Sequence, residues 1–208
     1  MSHEHALVLA AGAGSRFGGR KLLAMWRGRP VIEWSVAAAL ASGVDAVTVV
    51  LGADAAETAA CLPSSVGRII CDNWAEGMAA SLRCGIAALP PATSAVAIFL
   101  GDMPAVSPVL ARQLLDAVKA GAPAAIATFE GTPAHPVAIS AAVFPMLLAL
   151  QGERGARRDL LSLAGTTIIT TDCASSVFDI DVPSDLMASG QGRSGDDPLD
   201  SDPHVKSR

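Results

Sequence analysis

The sequence predicts an α/β fold with a mostly parallel sheet and helices on both faces. Three observations predict it. Short apolar runs rich in Val, Ile and Leu recur along the chain, and several end in glycine or run into aspartate, as buried strands do on entering loops. The stretches between them carry helix punctuation, proline at the start and glycine just past the end. The two kinds alternate through the first half, the order expected when parallel strands are joined by crossover helices.

The elements follow in order. Residues 6–11 are an apolar run that stops at Gly12 and read as the first buried strand. Pro30 opens Val31-Ile32-Glu33-Trp34-Ser35-Val36, a helix that reaches Leu40 and stops at Gly43. Residues 46–51 are a second strand, followed by a helix near 54–61 and a short third strand at 67–71. Residues 77–89 are helical and end at Pro90-Pro91. The strand at 95–100 runs straight into Gly101-Asp102-Met103-Pro104, and a helix from Ser107 or Pro108 lasts to about Ala120. Strands at 124–129 and 136–139 lie close enough in sequence to be neighbours. Helical segments at 141–150 and 155–163, a β-rich stretch at 166–171 and a short helix at 183–187 complete the reading. Residues 1–188 are thus expected to form one domain. Residues 189–208, rich in Gly, Ser and Asp with little to bury, are expected to be a disordered tail.

Bulk properties exclude several classes of function. A net charge of −5 argues against general affinity for nucleic acid, whose partners usually present a basic surface. No apolar run approaches the ~18–20 uncharged residues of a membrane span. The start, Met1-Ser2-His3-Glu4-His5, lacks the features of a signal peptide, so a soluble cytoplasmic protein is expected. Cys61, Cys71, Cys84 and Cys173 are widely spaced without a CxxC pair, which suits reduced cysteines and not a zinc site.

Two loops carry the chemistry, and both fall at strand ends, where ligands of open α/β sheets bind. The first is Gly12-Ala13-Gly14-Ser15-Arg16-Phe17-Gly18-Gly19-Arg20-Lys21. Glycines let backbone N–H groups approach phosphate oxygens, and Arg16 and Lys21 add a planar fork and a mobile point charge. The spacing is neither GxGxxG nor GxxxxGK[ST], which excludes a P-loop and weighs against a dinucleotide-binding loop. The second is Gly101-Asp102-Met103-Pro104, where a carboxylate just past a buried strand suits Mg²⁺, an ion that favours one or two carboxylates plus phosphate oxygens. A further pair stands at Asp179-Ile180-Asp181. Two apart on an extended strand, its carboxylates point the same way; alternatively, Asp181 caps the helix that starts near Pro183.

These residues resemble the molybdopterin nucleotidyltransferases. The resemblance rests on Leu9-Ala10-Ala11-Gly12-x-Gly14-x-Arg16-x-Gly18-x-x-Lys21, on Gly101-Asp102-Met103-Pro104, and on Asp179-Ile180-Asp181-x-Pro183-x-Asp185-Leu186. Asn73-x-x-x-Gly77-Met78-x-x-Ser81-Leu82-x-x-Gly85, His135-Pro136-Val137 and Gly155-Ala156-Arg157-x-x-Leu160-Leu161 add to it. It spans residues 7–186 and is strongest toward the branch that makes the cytosine dinucleotide form of molybdenum cofactor. Ala134 before His135 and Glu153 before Arg154 depart from the family's usual residues.

The resemblance implies a Rossmann-like three-layer α/β/α nucleotidyltransferase fold. It also implies an Mg²⁺-dependent enzyme that transfers CMP from CTP to the terminal phosphate of molybdopterin, releasing pyrophosphate. Arg16, Lys21 and Asp102 are the catalytic residues implied, with Asp102 and Asp181 as metal ligands. Ala10, Ala11, Gly12 and Gly14 would lie along the nucleotide, Asn73 would also bind substrate, and Gly77 and Ser81 would lie near base and ribose. His135 and Arg157 would face the pterin side; alternatively, His135 is a structural residue packing beneath the site and Arg157 is a solvated arginine near a helix start. Ala11 favours CTP over GTP, because guanosine-using relatives tend to carry glycine there and a methyl narrows the pocket against a purine. A GTP-using relative, a sugar-phosphate nucleotidyltransferase and a non-catalytic protein that delivers finished cofactor to a molybdoenzyme or its chaperone are the alternatives.

Overall fold

The computed structural model of the chain describes residues 3–152 and 155–188; the expected tail at 189–208 and the Glu153-Arg154 pair lie outside the described residues. In chain order the first half comprises β1 (His3–Ala10), β2 (Met25–Trp26), β3 (Arg29–Pro30), α1 (Val31–Ala41), β4 (Ala46–Leu51), α2 (Ala55–Ala60), β5 (Gly67–Ile70), α3 (Met78–Ala87) and β6 (Thr93–Leu100). The second half comprises α4 (Pro108–Lys119), β7 (Ala124–Phe129), β8 (Thr132–Ser140), α5 (Phe144–Leu148), α6 (Arg157–Ser162), β9 (Thr167–Thr170) and α7 (Asp185–Ala188).

Seven strands form one sheet in the order β5-β4-β1-β6-β8-β7-β9. β1 pairs in parallel with β4 on one side, Leu7 facing Thr48, and with β6 on the other, Leu7 facing Ile98. β8 alone runs against its neighbours, β6 and β7. The sheet is therefore mostly parallel, as expected. The chain leaves β1, builds β4 and β5 to one side, then returns to place β6 on the other. That reversal opens a crevice at the carboxyl ends of β1 and β6, the position where such sheets bind ligands.

Period-two alternation divides the core between the two faces of the sheet. Ala6, Val8 and Ala10 of β1 pack on one side with Ile32 and Val36 of α1 and with Leu110 and Leu114 of α4. Leu7 packs on the other with Leu82 and Ile86 of α3, Leu147 of α5 and Leu160 of α6. Gly85 lets α3 approach this closely, since a Cβ there would stand 2.9 Å from Val50 Cγ2 and 3.1 Å from Leu7 Cδ1. α4 has Pro108 in its first turn and the Ser107 hydroxyl accepting from the Leu110 amide, the start that its sequence predicts.

Two features differ from the sequence expectation. The stretch before α1 holds a small hairpin, β2 and β3, turned by Arg27 and Gly28 at positive φ. Two-residue strands offer too little alternation to be read from sequence. The last helix begins at Asp185, two residues later than expected, and the 179–181 segment is not a strand of the sheet. The Asp185 side chain instead accepts from the amides of Asp181 and Val182, both at 2.8 Å, holding the chain in a turn before the helix.

Candidate active site

The first loop is shaped by left-handed backbone. Gly14, Gly18 and Gly19 all have positive φ, and so does Arg20 at 54°, a conformation that costs a non-glycine residue free energy. Gly14 is needed for a second reason. A Cβ there would come within 2.8 Å of Lys21 Cβ, so glycine lets the loop fold back over Lys21. The Phe17 and Gly19 amides both bond to the Gly14 carbonyl. The amides of Gly12, Ala13 and Gly14 donate to no carbonyl among the described residues, which leaves a run of donors at the end of β1.

The second loop brings Asp102 to the same point. Lys21 Nζ donates to Asp102 Oδ2 at 2.7 Å and lies 3.7 Å from Asp181 Oδ1. Arg16 Nη1 donates to Asp181 Oδ2 at 2.9 Å. Two cations from one loop thus meet two carboxylates that lie 79 residues apart in sequence (102 and 181). The Arg16 guanidinium holds the Asp181 carboxyl below its ordinary value, with Lys21 acting the same way. Asp179 goes the other way: burial and the nearby Asp102 and Asp181 charges raise it, against the pull of Lys21.

Backbone contacts hold these side chains in place. The Ile180 amide donates to the Asp102 carbonyl at 3.0 Å, and Ile180 itself is fully buried between the two exposed-side aspartates. The Asp185 carboxylate fixes the Asp181 amide. On α1, buried Ser35 donates to the Gly101 carbonyl at 3.0 Å. Asp185 stood in the quoted motif without a role, and nothing in sequence marks Ser35, an ordinary helix-interior serine.

The remaining expected residues fall into two groups. On the β4 side, the Ala11 methyl is buried against Gly52, where a Cβ would stand 2.8 Å from it. Asn73 spends its side chain locally, donating to Glu76 at 3.1 Å and accepting from Cys71 at 3.3 Å. Gly77 precedes α3 at a φ of 111°, and Ser81 sits on the buried face of that helix. Ala10 is buried at the end of β1. On the α3–α6 side, His135 and Arg157 line a chiefly apolar cavity of about 320 Å³ with Leu9, Leu82, Val137 and Leu160. Burial, reinforced by the Arg157 charge, pushes the His135 ring down to about 4. His135 and Arg157 therefore line one cavity, whose lining includes none of Arg16, Lys21, Asp102 and Asp181.

The carboxylates suit a hard divalent cation. Asp102 and Asp181 both reach Lys21 Nζ, so they converge on one point with oxygen donors only. No group of three acidic, His or Cys residues among the described residues could hold a metal alone. The remaining coordination would come from water and from a phosphorylated ligand, the usual arrangement for Mg²⁺.

This constellation, a glycine-rich donor loop with two cations beside two carboxylates at a switch point, is what phosphoryl-group chemistry requires. The model of the MobA-like NTP transferase domain matches residues 6–167. The chain belongs to the MobA-like NTP transferase family. Membership makes it an enzyme of nucleotidyltransferase type, related to those of molybdopterin metabolism as the motifs implied. Nicotine blue oxidoreductase of Paenarthrobacter nicotinovorans is 32% identical over 160 residues, 73% of this chain and 78% of that protein. Purine catabolism protein PucB of Bacillus subtilis is 28% identical over 190 residues, 85% of this chain and 91% of that one. Among solved structures, Rv0371c of Mycobacterium tuberculosis superposes with a TM-score of 0.82 at 26% identity, covering 90% of this MobA-like chain and 96% of its own. A crystal structure of Rv0371c in complex with manganese gives a TM-score of 0.78 at 24% identity, with 90% and 97% covered. Among the described residues, no helix is long and apolar enough to cross a membrane.

Proposed function

We propose that this MobA-like transferase moves CMP from CTP to the terminal phosphate of a molybdopterin-type acceptor and releases pyrophosphate, with a divalent cation on Asp102 and Asp181. The observation that carries the reading is the 2.7 Å contact from Lys21 to Asp102, which joins the phosphate-type loop to the carboxylate loop. The free amides of Gly12–Gly14 and the charges of Arg16 and Lys21 hold the triphosphate, so the charge developing on the leaving pyrophosphate meets donors already in position. A bound Mg²⁺ or Mn²⁺ would supply further charge neutralisation at the α-phosphate; the manganese complex of Rv0371c supports a divalent ion in this fold. The protein supplies no nucleophile, because the acceptor phosphate attacks in line, and its contribution is orientation and electrostatics.

CTP is favoured over GTP through Ala11, whose methyl fills the space against Gly52 that a glycine would leave. Asn73, Gly77 and Ser81 line the approach to base and ribose, and His135 and Arg157 the approach to the acceptor. The test is incubation with each nucleoside triphosphate, Mg²⁺ or Mn²⁺ and molybdopterin, with products identified by mass. A cytosine dinucleotide product with pyrophosphate is the expected result. A guanine product would move the donor assignment, and no nucleotidyl product with any triphosphate would overturn the reading. The identity to nicotine blue oxidoreductase favours one rival, an oxidoreductase, and incubation with NADH or NADPH plus nicotine blue as the two-electron acceptor separates it, by loss of absorbance at the reduced nicotinamide band.

A further inference from the structure

Lys21, Arg16, Asp102 and Asp181 form a cluster whose charges cancel. Lys21 Nζ donates to Asp102 Oδ2 at 2.7 Å and stands 3.7 Å from Asp181 Oδ1. Arg16 Nη1 donates to the other oxygen of Asp181 at 2.9 Å. The two cations therefore draw on the same carboxylates that a divalent ion on Asp102 and Asp181 would use. An oxygen-bound Mg²⁺ lies about 2.1 Å from its ligand, which brings it within a few ångströms of the Lys21 ammonium. Only 12% of the Lys21 side chain and 24% of that of Asp102 are exposed, so water screens little of the repulsion between the two.

The cluster is also built to open. Lys21 carries its charge on a flexible four-carbon stem, and the Arg16 side chain is 79% exposed. The stem starts beside Gly14, where a Cβ would stand 2.8 Å from Lys21 Cβ. It therefore rises next to the amides of Gly12, Ala13 and Gly14, which donate to no carbonyl among the described residues. Turning that stem carries the ammonium from Asp102 toward any anion those amides hold. A triphosphate, with several negative charges, is a stronger partner for both cations than two carboxylates are.

We propose that Lys21 and Arg16 serve two partners in turn. As internal counterions they hold Asp102 and Asp181; a triphosphate draws them away and so opens the carboxylates to the divalent ion. The ion alone meets a neutral cluster and binds weakly, and the nucleotide creates its site. This rests on the transferase reading above and deepens it, by making the phosphate cradle and the metal site alternate claims on the same two cations.

Two titrations of the full chain test it: Mn²⁺ alone, followed by electron paramagnetic resonance, and CTP in excess EDTA, followed by calorimetry. Neither needs an acceptor or turnover, so failure of CMP transfer is a separate result. Lys21→Met keeps the stem and removes the charge. It should bind Mn²⁺ about tenfold more tightly than wild type and metal-free CTP about tenfold less tightly. A folding defect would weaken both, so the opposite signs are the signature. Asp102→Asn added to Lys21→Met should abolish the gain, which assigns the ion to this pair of carboxylates. Arg20→Gln removes the same charge from the same loop, but Arg20 pairs with Glu57 at 3.3 Å, so its Mn²⁺ affinity should stay close to that of wild type. Unchanged or weaker Mn²⁺ binding in Lys21→Met, a gain equalled by Arg20→Gln, or a gain with CTP binding unmoved would overturn the proposal.

Discussion

At the scale of single residues, Lys21 is where the two halves of the site meet. Its ammonium is shared between Asp102 and Asp181, and its position depends on Gly14 having no side chain. Charge-assisted hydrogen bonds contribute about 1.5–3 kcal/mol each, so Lys21→Ala should weaken CTP binding by about tenfold to a hundredfold in isothermal titration. Unchanged affinity would mean that the loop is not the phosphate cradle. Asp102→Asn keeps the shape of the side chain and removes its charge. It should lower metal-dependent pyrophosphate release by about a hundredfold or more while moving the melting temperature by only a few degrees. Near-normal turnover in that variant would remove Asp102 from the metal site.

At the scale of elements, the site depends on a short C-terminal turn. Ile180 is buried and bonded to the Asp102 backbone, which leaves Asp181 on the open side facing Arg16. The turn is held by Asp185, whose carboxylate takes two backbone amides at the start of α7. Removing such a capping carboxylate costs about 0.5–2 kcal/mol locally. Asp185→Ala should therefore lower Mn²⁺ affinity severalfold, measured by the ion's electron paramagnetic resonance signal, while Asp185→Asn retains most of it. Equal metal affinity in all three proteins would show that Asp181 does not depend on this turn.

At the scale of the whole molecule, the His135 ring couples the fold to pH. Its folded value of about 4 lies below the ordinary 6.5, so the unfolded chain binds the extra proton between these limits. Stability is then fully present above about pH 6.5 and falls as pH drops toward 4, by up to about 3 kcal/mol for this group. His5 is lowered too, chiefly by burial, and adds to the same trend. Asp181, held below its ordinary value by Arg16, contributes in the same direction at lower pH. Urea titrations from pH 7 to 4.5 should show wild type losing stability with acid more steeply than His135→Phe. Parallel curves would place the His135 ring in contact with water.

Sequence determined the element order here because each element obeys a local rule. Strands such as β4 and β6 are short apolar runs ending at glycine, and α1 and α4 begin at proline, so both periodicity and punctuation are visible in a window of a dozen residues. The shape of the first loop was legible for the same reason, since glycines beside Arg16 and Lys21 specify its conformation locally. What brings Asp181 to Lys21 was not legible. The segment carries an alternating pattern that reads as a strand, yet its amides are taken by Asp102 and Asp185 and it never joins the sheet. Nor could sequence separate His135 from the ion-pair cluster, because that depends on β8 running antiparallel beside β6 and on α6 closing over it. Local propensity chose the elements. Pairings between residues far apart in the chain, made only when the sheet forms, decided which side chains share a site.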